Sequence, residues 1–244
     1  MEPDSQKSLS PIPIPEPIID RDPKMIAVAS ADQLECCREM RPHPVSYAIA
    51  KRVLDIIGSL ILLLLLAPIF LVIALAVKIT SPGPVFYKST RVGLCGKKFQ
   101  FIKFRSMRVG ADKQLQQLLQ NNEKDGPIFK MKEDPRITPV GRFIRKYSLD
   151  ELPQLYSVFT GEMSLVGPRP PIPHEVEQYD DLTMTRLSVK PGISCYWQIM
   201  GRSNLSFEEW MELDRKYIRE MSFWTDLKIL LKTPYSVIKG DGAY

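Results

Sequence analysis

From Ile56 to Val77 the chain reads IIGSLILLLLLAPIFLVIALAV, 22 consecutive positions without a charged residue. A helix rises about 1.5 Å per residue, so about 20 apolar residues match the hydrocarbon thickness of a bilayer. A helix buried in a water-soluble core keeps a polar face, and this run has none. The segment therefore belongs in a membrane, and the question is whether it crosses. Pro68 lies near its middle and cannot donate an interior helical hydrogen bond. Basic residues stand on both flanks: Arg41, Lys51 and Arg52 before, Lys78, Lys88 and Arg91 after. A crossing helix carries its basic excess on one side. Charge at both ends fits a helix broken at Pro68, with residues 45–80 entering and leaving at the same face.

The chain on either side differs. Residues 1–44 are polar, with prolines at 3, 11, 13, 15, 17 and 23, and read as a disordered Pro-rich tail without an apolar run of signal-peptide type. Residues 81–244 read as a globular domain. Two strands, 84–92 and 98–104, flank a glycine-bearing turn and predict a β-hairpin. Helices are expected at 111–120, after Ser148, at 207–221 and at 223–238, the last interrupted by Pro234, with a strand at 193–199. The expected fold class is α+β: a helix-break-helix membrane segment followed by a small domain of helices with a short hairpin. The net charge of +5 suits an anionic partner. Cys36, Cys37, Cys95 and Cys195 show no CxxC spacing, so reduced, cytosol-facing thiols are expected rather than a zinc site or a disulfide framework.

Several residues could carry chemistry. In Ser148-Leu149-Asp150-Glu151-Leu152-Pro153 two carboxylates stand at a helix start. Ser148 with Glu151 fits a capping box, whereas Pro153 favours Asp150 as the cap. A nucleophile or a magnesium ligand is the alternative to capping. On the helix from Phe207, a 100° period places Asp214 on the same face as Trp210, Tyr217 and Met221. A carboxylate there needs an ion pair or a metal. Glu208 and Glu209 fall to the Ser206 capping box. Strand alternation puts Lys103 and Arg105 on one face, roughly 7 Å apart, a spacing that could straddle a diphosphate. In Gly167-Pro168-Arg169-Pro170-Pro171 the prolines restrict the backbone that presents the arginine fork. No P-loop or GxGxxG fingerprint occurs, and no recognition fold or basic stripe points to nucleic acid.

Over residues 48–244 the chain resembles the monotopic phosphoglycosyl transferases, the bacterial sugar transferases that act on polyprenyl phosphate. The resemblance rests on Lys51-Arg52-Val53-Leu54-Asp55, Ser81 to Val85, Lys103 to Met107, Asp134 to Thr138, Ser148 to Gln154, Gly167 to Pro170, Lys190 to Ile193, Trp197-Gln198 and Gly201-Arg202-Ser203. It implies a re-entrant helix broken at Pro68 and a two-step covalent reaction that requires Mg²⁺. Asp150 matches the nucleophile that attacks the β-phosphorus of a UDP-sugar and expels UMP. Polyprenyl phosphate, usually undecaprenyl phosphate, then accepts the phosphosugar. Glu151 matches the second acid of the dyad, and Asp214 a further acid at the metal or phosphate site beside Asp150. Lys103, Arg105, Pro168, Arg169, Pro170, Gln198 and Arg202 match substrate- and phosphate-binding positions, the Pro-Arg-Pro element at the nucleotide end. The implied location is the bacterial inner membrane, with the catalytic domain on the cytoplasmic side, in exopolysaccharide, capsule or glycan assembly; an oligomer is compatible with it. Two departures stand out. Ala67 precedes Pro68 where many relatives have serine, and Cys195-Tyr196 replaces a small, glycine-containing stretch. With a Pro-rich tail where larger relatives carry membrane helices, the chain reads as a short form. Rival expectations are a glycosyltransferase that releases UDP, with Asp180-Asp181 offered as its metal site, and an inactive membrane-anchored recruiting module.

Overall fold

The computed structural model describes residues 44–242 apart from 119, 121, 124, 125 and 241. The tail expected over 1–44 lies outside the described residues except for Pro44.

Helix α1 (Val45–Leu65) and helix α2 (Ala67–Thr80) meet at a 60° bend at Leu66. Pro68 sits in the first turn of α2, where an amide would have no intrahelical partner, so it starts a helix instead of damaging one. The break leaves little unmet: Leu66 N donates to Leu62 O and Phe70 N to Leu66 O, each at 2.9 Å, without a serine at position 67. Among the described residues no single helix is long and apolar enough to cross a membrane; the bent pair passes that test together, by length and composition alone. The pair is inside out. Ile57, Ile61, Leu64, Leu71, Val72 and Ile79 are exposed, while Asp55 and Ser59 are buried.

Polar anchors hold α1 to the rest of the chain. Asp55 Oδ1 accepts from Ser164 Oγ at 3.0 Å and Leu165 N at 2.8 Å. Lys51 Nζ donates to Asp226 Oδ2 at 2.8 Å, Val166 O at 2.9 Å and Tyr217 Oη at 3.2 Å. Arg52 donates to Val158 O at 2.7 Å and Phe159 O at 2.8 Å. The charges that read as membrane flanks are therefore also structural ties. Gly58 permits the approach, since a Cβ there would meet Leu165 Cδ1 at 2.8 Å.

Strands β1 (Phe86–Val92) and β2 (Lys98–Phe104) form the expected antiparallel hairpin, with Phe86 opposite Phe104. Then follow α3 (Ala111–Leu118), α4 (Pro139–Lys146), a 3₁₀ turn at Leu149–Glu151, and α5 (Gln154–Thr160). A second sheet pairs β3 (Ser164–Val166) in parallel with β4 (Gly192–Ser194). Short helices α6 (Pro173–Val176) and α7 (Asp181–Met184) and a 3₁₀ turn at Thr185–Ser188 lie between them. Helices α8 (Tyr196–Met200), α9 (Phe207–Glu220) and α10 (Phe223–Lys239) complete the domain. The α+β expectation holds, and the parallel pair is an addition that strands of three residues could not announce by alternation. The strand expected at 193–199 is confined to Gly192–Ser194, and α8 begins at Tyr196 instead. Helix α10 continues through Pro234 rather than breaking. The main core joins β2, α5, β3 and α9 through Phe101, Val158, Leu165 and Tyr217. Cys195 is free and buried.

Candidate active site

Helix α4 ends at Lys146, and the chain turns back at Ser148, whose φ of 52° is left-handed. For a residue with a Cβ this conformation costs on the order of 1–2 kcal/mol. Neither expected cap forms: Ser148 makes no side-chain cap, and α5 starts beyond Pro153, so the acids are not spent on a helix end. Asp150, 6% exposed, lies in the 3₁₀ turn. Among the described residues its carboxylate accepts no hydrogen bond. Burial, and then the neighbouring charge of Glu151, push its carboxyl up to about 6, while Lys103, Arg145 and Arg169 act in the opposite direction.

These three cations come from three elements. Lys103 on β2 lies 5.4 Å from the centroid of the Tyr87 ring and makes no ion pair among the described residues. Burial lowers its ammonium to about 8, against the pull of Asp150. Arg145, in the last turn of α4, is likewise without an ion pair among the described residues, and burial lowers its guanidinium while Asp150 raises it. The sequence reading missed Arg145. The available signal was its place five residues before the acid, at the end of a helix whose Ile144 faces the core. Arg169 Nη1 pairs with Glu151 Oε1 at 2.9 Å. Arg105 is not brought to this cluster. It follows the end of β2, and its guanidinium donates to the carbonyls of Ser81 and Pro82. A Cβ on Gly83 would strike it at 2.6 Å.

The Pro-Arg-Pro loop is held almost wholly through carbonyls, because proline has no amide to donate. Pro168 O accepts from Gly192 N at 2.9 Å, and Pro171 O from Val92 N at 2.9 Å. Arg169 O accepts from Arg186 Nη2 at 3.0 Å, and Pro170 O from Arg91 Nη1 at 3.1 Å. With four successive carbonyls fixed, the Arg169 side chain projects from a backbone of little freedom. A cleft beside the Glu151–Arg169 pair is lined by Phe101, Gln154, Trp197 and Gln198. Gln198 O accepts from Ser236 Oγ at 2.7 Å and Arg202 Nε at 3.4 Å, so Arg202 packs against α8.

Asp214, 1% exposed, forms an ion pair with Arg186 at 2.7 Å. Burial pushes its carboxyl up to about 6, against Arg186 and the Trp210 indole. Arg186 also donates to Tyr179 Oη at 2.7 Å. Asp214 thus stands behind the Pro-Arg-Pro loop, joined to Arg169 O through Arg186, and the structure does not bring it into a cluster with Asp150. Asp180 caps α7 by accepting from Thr183 N at 2.8 Å. Among the described residues no group of three or more metal-ligating side chains exists. Mg²⁺ is commonly held by one or two carboxylates with substrate phosphates and water completing its shell. A buried carboxylate without a hydrogen bond next to a second acid fits that mode, with Asp150 and Glu151 as the protein ligands.

The family model described as bacterial sugar transferase matches residues 46–240. A protein of Streptococcus agalactiae named galactosyl transferase CpsE is 48% identical over 207 residues, covering 84% of this chain and 45% of that protein. An undecaprenyl-phosphate galactose phosphotransferase of Salmonella typhimurium is 45% identical over 202 residues, covering 80% and 41%. The exopolysaccharide production protein ExoY of Rhizobium meliloti is 40% identical over 199 residues, covering 80% and 88%. The chain thus spans less than half the length of the first two relatives and most of the third.

Proposed function

The chain belongs to the bacterial sugar transferase family, and we propose that it transfers a hexose 1-phosphate from a UDP-sugar to undecaprenyl phosphate and releases UMP. The observation that carries this reading is Asp150: a buried carboxylate left without hydrogen bonds in a field of three cations. A carboxylate meant only for structure would be capped or paired. Asp150 Oδ attacks the β-phosphorus, forming an O–P bond as the bond from that phosphorus to the bridging oxygen breaks. UMP departs with the electron pair. An oxygen of the lipid phosphate then attacks the same phosphorus and displaces Asp150, yielding the lipid diphosphate-sugar. Lys103 and Arg145 offset the charge of successive phosphates, and Arg169 stays oriented by Glu151 and its fixed loop. Mg²⁺ bound at Asp150 and Glu151 would supply further neutralisation of phosphate charge. Asp214 acts at one remove, holding Arg186 against the Arg169 carbonyl.

The bent α1–α2 pair enters and leaves the bilayer at one face, the inner side of the bacterial membrane. The support is its inverted burial, apolar outside and Asp55 and Ser59 inside. Lys51, Arg52 and Lys78 then lie on the same side as the domain they bind. The test is product analysis in nanodiscs with Mg²⁺, undecaprenyl phosphate and a panel of UDP-sugars, with Asp150→Asn beside it. UMP with lipid diphosphate-sugar, both lost in the variant, is expected. Release of UDP would make the protein a glycosyltransferase, and no product from a folded protein would leave a recruiting module.

A further inference from the structure

Among the described residues three that are not glycine have a positive φ, and Ser148, at 52°, is one of them. Elsewhere the chain meets the same demand with glycine: Gly161 closes α5 at φ 94° and Gly240 closes α10 at φ 67°. Glycine is the usual residue just past a helix end, because it has no Cβ to strain. Ser148 stands one place after Tyr147, the C-cap of α4, where the same choice was open. A side chain kept in the left-handed region is a cost, and such costs persist where something else makes use of them.

The fold makes no use of this side chain. Ser148 N donates to Arg145 O at 3.0 Å and Ser148 O accepts from Glu151 N at 3.2 Å, bonds that glycine would make equally well. The half-buried hydroxyl caps no helix and makes no hydrogen bond among the described residues. It belongs to the turn that joins Arg145 to Asp150, two residues before a buried carboxylate that also accepts no hydrogen bond. The charged donors of the site, Lys103, Arg145 and Arg169, all favour the ionised Asp150. A fourth cation on this turn would pair with the acid, whereas a hydroxyl supplies a donor and adds no charge.

We propose that the Ser148 hydroxyl is a further catalytic group, donating a hydrogen bond to a non-bridging oxygen of the phosphoryl group under transfer. It offsets charge on the equatorial oxygens while phosphorus exchanges one oxygen partner for another, and the left-handed backbone fixes the donor relative to Asp150. The proton stays on the serine throughout, and no bond to its oxygen forms or breaks. The inference rests on the reading above that Asp150 attacks phosphorus.

The test compares wild type, Ser148→Gly and Ser148→Ala as full chains in nanodiscs, by thermal melting and by steady-state UMP release. The glycine variant melts at least as high as wild type, because it accepts the left-handed conformation without strain. Both variants lower kcat about tenfold and leave KM for the UDP-sugar within about threefold. Full activity in both overturns the catalytic hydroxyl. A loss in the glycine variant alone overturns it too, by assigning the effect to backbone freedom, as does a loss in the alanine variant alone, by assigning it to strain. A rise in KM at unchanged kcat makes Ser148 a ground-state contact and also overturns the catalytic role. A glycine variant that melts lower than wild type overturns the premise that serine is costly there. Wild type that releases UMP while the variants give one of these results leaves the transferase reading standing, and wild type that releases none overturns both.

Discussion

Two of the places where charge is buried, the foot of α1 and the surroundings of Asp150, are treated oppositely. At the foot of α1, Lys51, Asp226, Tyr217 and Tyr47 form a closed network: Lys51 reaches three acceptors, and Asp226 receives both tyrosine hydroxyls at 2.8 Å. Around Asp150 the charges are close enough to shift one another, yet only Glu151 and Arg169 are joined. A buried charge with every partner in place fixes one arrangement of the chain. A buried charge left waiting disfavours the fold and is retained where a ligand or a reaction completes it. The difference separates the part of the molecule that attaches the bent helix from the part that does chemistry.

Asp150→Asn tests this contrast most severely. If Asp150 is the nucleophile proposed above, its loss lowers UMP release by about 10³-fold or more, measured by product analysis. The same change should stabilise the protein. An acid with a folded pKa of about 6, above the ordinary value near 3.9, holds a proton that the unfolded chain has lost between those values. Stability from this group falls as pH rises through that window, and above it the ionised form is a cost. Removing the charge raises stability at pH 8 by about 1–3 kcal/mol, seen as a higher melting temperature. A lower melting temperature would break the comparison. Asp226→Ala should do the reverse. It strands Lys51 and lowers stability by about 3–5 kcal/mol, while UMP release per folded molecule stays within about threefold of wild type.

The two regions were also unequally legible. The 22-residue apolar run and Pro68 announced a bent helix because both act locally, through length and a missing amide. Ser206 and Glu209 announced their capping box for the same reason, and it forms. The Asp150 site depends on β2, α4 and the Pro-Arg-Pro loop meeting, and no spacing rule holds that information. Strand alternation placed Lys103 and Arg105 on one face, but β2 ends at Phe104, after which Arg105 turns to Ser81 and Pro82. Periodicity did find Asp214 on the buried face of α9, and its partner Arg186, 28 residues earlier, could come only from the fold. The resemblance to a family supplied the role of Asp150; the residues alone left it between cap and nucleophile, and the structure forms neither cap.

The waiting charges should also set a pH profile. Single-turnover UMP release falls as pH drops through about 6, where Asp150 takes up a proton, and again as pH rises through about 8, where Lys103 loses one. Lys103→Met should lower the rate by about 10²-fold and Lys103→Arg should abolish the alkaline limb, because guanidinium stays charged. A flat profile in wild type would show that bound substrates, not these two groups, govern ionisation. A smaller effect belongs to Asp214→Asn. By loosening Arg186 from the Arg169 carbonyl it should raise KM for the UDP-sugar roughly tenfold with little change in kcat, whereas a metal-ligand role would lower kcat and raise the Mg²⁺ requirement.

The smallest effect is expected at the bend itself. Ala67 could be replaced by serine, whose hydroxyl can bond to a preceding helical carbonyl and is often invoked to ease a helix break. In this chain the break is already served: Leu66 N and Phe70 N each have a carbonyl at 2.9 Å, and Pro68 brings no amide to satisfy. By the logic of the anchor network, one more polar group added to a satisfied set contributes little. Ala67→Ser should therefore shift stability by less than about 0.5 kcal/mol and leave UMP release unchanged, as read by melting and product analysis. A gain of 1 kcal/mol or more would mean that the bend, for all its paired amides, belongs with the waiting groups of the active site and not with the closed network at the foot of α1.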